Sequence, residues 1–449
     1  MLLYQEIINL LKESNPSKFK SNRVINKFKK QWITIMTLTG LYNKFGNTYS
    51  LNNIKLTDYG IKSDIYVVPS LTYAKLESKI EEIEEALNCK IILNHSKSSC
   101  WINVKFIFCA RNNIKFTIIK QESPYMLYIG NDYSGVPIFC DLRKYPHLLI
   151  SGSTRSGKSK MTDCILTNLV SNFTSKQVNL YLFQISKSDL VLYEDLDHTK
   201  IFANDLKLVE CSLRYILEEV IPYREKLIKP YRKKAILDNM DEYNKLKKCI
   251  DEQPMILLVF DETSSIYQTK GCSKEDVKLK DEIKGHINRI IQTSASLGIY
   301  TLISIQRPSV DSMPSLVKAQ SNTIISFKQP NAKSSEVSTD SPTLSVGLEQ
   351  REFVYKQNNW NYGYVPWIKN KEIYEFLKPN INPKHYTILN ILKEKYLNNA
   401  NFVSKNKKKI EFEHINKSKE EILKENIAKI KDFVPYDPIL INKGRKKLW

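Results

Sequence analysis

Apolar positions change their spacing as this 449-residue chain runs from its first third to its second. Between Thr72 and Leu87, the apolar residues Tyr73, Leu76, Ile80, Ile83 and Leu87 recur every three or four positions with Glu and Lys opposite, which predicts an amphipathic helix. Strand-like runs at Ser63–Val68, Ile91–Leu93 and Trp101–Ala110 surround it and outline a small α+β domain ending near Gln121. Beyond Tyr125 the pattern becomes one of short, apolar, partly β-branched runs: His147–Ile150, Val178–Ile185, Met255–Phe260, Ile299–Ile305 and Thr323–Phe327. Helical stretches fall between them at Lys158–Val170, Leu206–Leu227 and Asp281–Leu297. Runs without polar alternation suit strands covered on both faces, and their alternation with helices predicts an α/β fold with a doubly wound, mostly parallel sheet. After Trp367 the chain is lysine-rich, with a helix expected at Ser418–Lys431 and a basic finish from Lys443 to Lys447. The expected division is a basic N-terminal segment (1–57), the small domain (58–124), a large α/β domain (125–366) and a C-terminal extension (367–449).

Composition narrows the setting. No stretch reaches the roughly 18 apolar residues of a membrane-spanning helix. The nearest, Trp32–Leu41, is short and carries three threonines. The apolar start, Met1–Leu11, is interrupted by Gln5, Glu6 and Asn9 and lacks a cleavage site, so a cytoplasmic protein is expected, recruited to a membrane only through a partner. Eight scattered cysteines without a C-x-x-C pair argue for free thiols rather than zinc ligands or disulfides. Sixty-eight Lys and Arg against 48 Asp and Glu leave a net charge of +20, a field that attracts polyanions, nucleic acid before an anionic membrane. A lysine-rich surface with no partner is the plain alternative. No acid occurs between Ser14 and Thr57, while Lys18, Lys20, Arg23, Lys27, Lys29 and Lys30 crowd its first part. That run reads equally as an arm tracking phosphates or as a solvated helix face.

The chemistry is concentrated after the first strand of the large domain. His147-Leu-Leu-Ile-Ser-Gly-Ser-Thr-Arg-Ser-Gly-Lys-Ser159 contains G-x-x-x-x-G-K-S between an apolar strand and a helix expected to be amphipathic. Glycines at both ends let the backbone N–H groups of Gly152, Ser153, Thr154, Arg155, Ser156, Gly157, Lys158, Ser159 and Lys160 turn toward phosphates, aided by the helix N-terminus. Lys158 is expected to reach the β- and γ-phosphates of ATP, and the Ser159 hydroxyl to ligate Mg²⁺. The strand Met255–Phe260 ends in Asp261 and Glu262. Asp261 is the expected partner of Ser159 around the metal, and Glu262 the base that orients an attacking water. A helix N-cap is the structural alternative for Asp261. Gln306 ends the next strand, where RecA-like motors carry a polar residue near the γ-phosphate. The expected catalytic set is therefore Lys158, Glu262 and Gln306.

Longer runs resemble the motor domain of the FtsK/SpoIIIE family of DNA translocases. They are Cys140-Asp-Leu-Arg-Lys-Tyr-Pro-His-Leu-Leu-Ile150, Asn239-Met-Asp-Glu-Tyr-Asn244 after Glu218–Arg224, Gly298–Asp311 with its Gln-Arg-Pro-Ser-Val-Asp, and Lys318-Ala319. The resemblance covers roughly Tyr125 to Pro366, and the domain before it is similar to the small domain stacked above that family's ring. It implies a RecA-like P-loop core, a homo-oligomer built as a hexameric ring, ATP between subunits, and duplex DNA in a basic channel. Two departures stand out. Gln184-Ile-Ser-Lys187 replaces the family's Asp-Pro-Lys, and the arginines flanking the last core strand are replaced around Ile324 and Glu336. Arg351, Arg307 and Arg289 are the candidates for a trans-acting finger. With no membrane domain and no sequence-reading winged helix in evidence, the compact form resembles the coupling ATPases of Gram-positive conjugative plasmids and integrative elements, which implies a relaxase or transfer-channel partner. A partition or packaging motor and an ATP-gated DNA-binding switch are the alternatives.

Overall fold

The computed structural model describes residues 2–13, 18–95, 99–109, 114–185, 189–234, 236–247, 252–306, 308, 315–321, 323–357, 360–383, 387–388, 392 and 395–396. Lys187, Arg307, the Ser309–Asp311 run, the helix expected at Ser418–Lys431 and Lys443–Lys447 lie outside the described residues. The chain forms two compact units, residues 1–114 with 131–136 and residues 115–130 with 137–449.

The smaller unit runs α1 (Leu2–Lys12), α2 (Lys18–Leu38), β1 (Ser50–Thr57), β2 (Gly60–Tyr66), α3 (Tyr73–Glu77), α4 (Ile80–Leu87), β3 (Lys90–His95) and β4 (Trp101–Ile107). Its strands form a sheet ordered β1-β2-β4-β3, antiparallel at every junction. The basic run belongs to α2. Val24, Phe28, Trp32, Ile35 and Met36 recur at helical spacing, are buried, and meet the sheet through edge contacts of Phe28 and Trp32 with Phe106. The single helix expected over Thr72–Leu87 is two, because the chain turns at Ser78 and Lys79; its stripe of Leu76, Ile83 and Leu87 is still buried.

The larger unit continues through β5 (Met126–Asn131), β6 (Pro137–Asp141), β7 (Leu148–Gly152), α5 (Lys158–Asn172), β8 (Val178–Gln184), β9 (Thr199–Ala203), α6 (Leu206–Tyr215), α7 (Ile221–Arg232) and α8 (Met240–Lys247). There follow β10 (Met255–Asp261), α9 (Ser264–Tyr267), α10 (Lys274–Thr293), β11 (Ile299–Gln306), α11 (Ser315–Gln320), β12 (Thr323–Phe327), α12 (Ala332–Thr339), β13 (Glu352–Lys356), β14 (Trp360–Tyr364) and α13 (Asn370–Leu377). The strands make one sheet ordered β6-β5-β14-β13-β12-β7-β11-β10-β8-β9. From β12 to β9 every pairing is parallel, while β13 and β14 are added antiparallel. Every residue of β7, β10 and β12 is buried, as strands sandwiched between helices require. The mostly parallel α/β fold expected from the sequence is therefore present.

Helix α5 differs from the amphipathic helix expected. Polar Thr162, Asp163, Thr167 and Asn168 are as buried as its apolar residues. Their face is covered by other parts of the unit and satisfied by hydrogen bonds instead of water. Asn168 Oδ1 accepts the Ile119 N–H at 2.7 Å, and the Thr167 hydroxyl meets that of Tyr193 at 3.0 Å. The expected Leu206–Leu227 helix is interrupted by a π-turn at Ile216–Val220, just before Pro222, which has no N–H to give the Glu218 carbonyl.

Several motif residues have structural work. Arg224, fully buried, donates to the carbonyls of Leu297, Gly298 and Pro254, tying α7 to the start of β11 and β10. Asn244 exchanges two hydrogen bonds with the backbone of Gln253, each 2.8 Å, while Tyr243 is buried beside it. No helix among the described residues is long and apolar enough to cross a membrane. Cys89, Cys100, Cys109, Cys140, Cys164, Cys211 and Cys272 are free thiols.

His147 turns the chain into β7 with φ +65°, buried, its Nδ1 3.0 Å from the Thr301 hydroxyl. Burial lowers its pKa from 6.5 to about 4, so it is neutral near pH 7. The unfolded chain then binds a proton that the folded chain refuses, and stability falls as pH drops through the window from 6.5 to about 4. His147→Asn keeps a residue that tolerates positive φ. Its melting temperature between pH 7 and pH 4 is expected to fall less steeply than that of the unaltered protein. Superimposable pH curves would contradict this account.

Candidate nucleotide site

β7 lies between β11 and β12, and all three run in the same direction. Their carboxyl ends open on one crevice, the place where parallel α/β sheets hold ligands. The register brings Gly152 at the end of β7 level with Gln306 at the end of β11. β10 is the next strand across and ends in Asp261.

The loop from Gly152 to Lys158 is locked by what surrounds it. Gly152 has φ +154°, and a Cβ there would stand 2.6 Å from the Phe327 Cβ and 2.7 Å from the Ser156 hydroxyl. Gly157 has φ +129°, and a Cβ would stand 2.8 Å from the Phe327 ring and 2.9 Å from the Arg351 Cα. Only glycine fits at these two points. Ser153 gives both its N–H and its hydroxyl to the Lys328 carbonyl at 2.9 Å, and the Ser156 carbonyl accepts the Arg351 N–H at 2.7 Å. Thr154 and Arg155 are exposed at the tip. Lys158, buried, turns its ammonium back into the loop onto the Gly152 and Ser153 carbonyls at 2.6 and 2.9 Å. Lys160 leaves the loop sideways, donating to Asp163 and Asn370, each at 2.9 Å.

Asp261 and Glu262 are both buried, and Glu262 turns the chain off the strand at φ +56°. A buried carboxylate in a left-handed turn is uncommon outside functional sites. Asp261 is the last residue of β10 and no helix starts on it, so the N-cap alternative does not hold. One Glu262 oxygen accepts the Gln306 backbone N–H at 3.4 Å. The Gln306 side-chain amide in turn reaches the Thr154 hydroxyl of the loop. Gln306 therefore links the acidic strand end to the phosphate loop through two different groups.

Asp189, which the sequence reading missed, also enters the site. It opens the short helix Asp189–Tyr193 after β8, and its Oδ2 accepts the Ser159 hydroxyl at 2.8 Å. Gln184 positions it: its side chain, buried at the end of β8, accepts the Leu190 N–H at 2.6 Å. Gln184 is level with Asp261 in the β8–β10 pairing. The available signal was position alone, an acid shortly beyond another parallel strand whose end opens on the same crevice. Among the described residues no three Asp, Glu, His or Cys side chains form a metal cage. A hydroxyl with one or two carboxylates is instead the donor set that suits Mg²⁺ held mainly by a nucleotide's phosphates and water.

Of the finger candidates, Arg351 is committed within its own chain, donating to the Val365 carbonyl at 3.1 Å and lying 5.6 Å over the Trp367 ring. Arg289 is exposed on α10, and Arg307 lies outside the described residues.

Residues 117–310 match the FtsK/SpoIIIE family, so the chain carries a domain of that family. It is 28% identical over 247 residues to the DNA translocase FtsK of Leptospira interrogans, covering 53% of this chain and 24% of the relative. It is 30% identical over 225 residues to the DNA translocase FtsK of Campylobacter jejuni, covering 49% and 22%. The chain thus spans about a quarter of the length of these relatives. A solved structure of the pCW3 conjugation coupling protein TcpA, a monomer form with ATPγS, shares the fold at a TM-score of 0.55 and 20% identity, over 79% of this chain and 99% of that one.

The glycine clamp has a direct test. Gly157→Ala forces a side chain into positive φ and against backbone of Arg351, a strain of order 1–3 kcal/mol. A melting temperature lowered by a few degrees and much weaker binding of a fluorescent ATP analogue are expected. An unchanged affinity would show that a side chain at this position is tolerated, and would overturn the clamp.

Proposed function

We propose that this chain is an ATPase that drives DNA movement, acting as a hexameric coupling motor in the conjugative transfer of a mobile element. The observation that carries the ATPase reading is the double contact of Gln306 with Glu262 and Thr154. It connects the residue that would orient a water, the residue that would sense the γ-phosphate, and the loop that would hold that phosphate.

The proposed mechanism follows from these positions. Lys158 gives up its loop carbonyls and turns to the β- and γ-phosphate oxygens, where its charge offsets what accumulates as the bond to the leaving phosphate breaks. Ser159 and Asp261 would hold Mg²⁺, which neutralises phosphate oxygens when bound. Backbone N–H groups of the loop beyond Ser153 and the start of α5 supply further positive potential. Glu262 orients and deprotonates the attacking water. Gln306 loses or keeps its Thr154 contact according to whether a γ-phosphate is present, and so passes the nucleotide state into β11 and the Arg307–Asp311 run beyond it.

The DNA reading rests on three supports. The chain matches the FtsK/SpoIIIE family over residues 117–310 and is similar to proteins named DNA translocases. A net charge of +20 favours a polyanion in a central channel. The likeness to a conjugation coupling protein spans nearly all of that chain, which favours transfer over partition or packaging.

Lys158→Ala should abolish hydrolysis, and Glu262→Gln should bind ATP yet turn over at least a hundredfold more slowly. Steady-state ATPase measurements with and without duplex DNA check both, and binding of ATP without any stimulation by DNA would sink the DNA reading. For the motor itself, displacement of a DNA triplex roadblock is expected with ATP. Turnover without displacement would favour a nucleotide-gated switch.

A further inference from the structure

A phosphate loop grips only the phosphates of a nucleotide, and its base needs a second surface. The sheet order says where that surface must lie. Relative to β7, the acids and Gln306 stand on the β11–β10 side, so the γ-phosphate end of a nucleotide faces that way. The nucleoside leaves on the opposite side, over β12, β13 and β14. β13 runs antiparallel to β12, and β14 antiparallel to β13. The start of β13 and the residues after β14 therefore reach the same edge of the sheet as the loop.

Two side chains stand at that place. Arg351 precedes β13, and its N–H is bonded to the loop at Ser156. Trp367 follows β14 and is 44% exposed, unusual for an indole beside a buried site. The Arg351 guanidinium lies 5.6 Å from the Trp367 ring centre and is held there by the Val365 carbonyl. Three residues beyond Trp367, Asn370 accepts a hydrogen bond from Lys160, the residue that leaves the phosphate loop. The aromatic ring is thus tied to the loop on both sides.

We propose that Trp367, backed by Arg351, is the stacking platform for the base of the bound nucleotide. This rests on the nucleotide reading of the site and adds to it. Cation–π contact with Arg351 fixes the indole on one face. A base stacks on the other without hydrogen-bond readout, so the platform supplies affinity and little choice among bases.

Isothermal titration of the full chain with ATP, GTP and inorganic tripolyphosphate, each with Mg²⁺, separates base from phosphate. Trp367→Ala should weaken ATP and GTP alike, by roughly 5- to 150-fold, the range expected for one stacked base. Tripolyphosphate affinity should be unchanged, and Trp367→Phe should recover most of the loss. In the unaltered protein ATP should quench tryptophan fluorescence where tripolyphosphate does not, a measurement that needs no variant. Equal ATP affinity in Trp367→Ala, or a parallel loss of tripolyphosphate, overturns the platform. Failure of the unaltered protein to bind either ATP or tripolyphosphate would instead overturn the nucleotide site itself.

Discussion

Parallel pairing of β7 with β11 on one side and β12 on the other is the constraint from which the site follows. In a parallel ladder a shift of one residue exchanges the two faces of a strand. The observed register sets Gly152 level with Gln306, Phe260 with Ile303, and Asp261 with Gln184. The ends of four strands then deliver the glycine-bounded loop, the Gln306 side chain, two carboxylates and the support of a third. None of these groups is near another in the chain. What holds the register is burial on both faces, since slipping any strand would force Leu, Ile and Val side chains into misfitting contacts with the covering helices, at a cost of about 1–3 kcal/mol for each.

The same burial explains why the phosphate loop is clamped from behind. Phe327, at the end of β12, lies within van der Waals distance of where side chains at Gly152 and Gly157 would be. Arg351 closes the loop from the start of β13 through its backbone N–H. The antiparallel pair β13–β14 thus supports the loop from one side, while β11 and β10 bring the chemistry from the other. This division also gives Arg351 a place inside its own chain, with its charge directed to the Val365 carbonyl and the Trp367 ring.

Polar groups used as structure recur through the larger unit. Asn168 on α5, Asn244 on α8 and Arg224 on α7 each satisfy backbone groups outside the regular ladders, Arg224 while fully buried. The Tyr243–Asn244 pair and Arg224 fall in segments whose residue patterns look functional in the sequence. Their contacts show that at least part of that pattern maintains how α7 and α8 meet β10 and β11.

The sequence by itself determined the phosphate loop, the acidic strand end, the polar end of the next strand and the parallel character of the sheet. Each is a local signal: a glycine pattern between strand and helix, a carboxylate pair ending an apolar run, or short apolar runs alternating with helices. It also held the stripe of α2, from Val24 to Met36, beneath a run of lysines that drew attention to charge instead. Only the tertiary structure decided that α5 is buried all round, because its polar face is satisfied by residues distant in the chain, Asn168 by Ile119 and Thr167 by Tyr193. Only the tertiary structure brought Asp189 to Ser159, Arg351 to Ser156 and Trp367 to Arg351. Those contacts depend on strand order and direction, which are set by the packing of whole layers and leave no mark at fixed spacing along the chain.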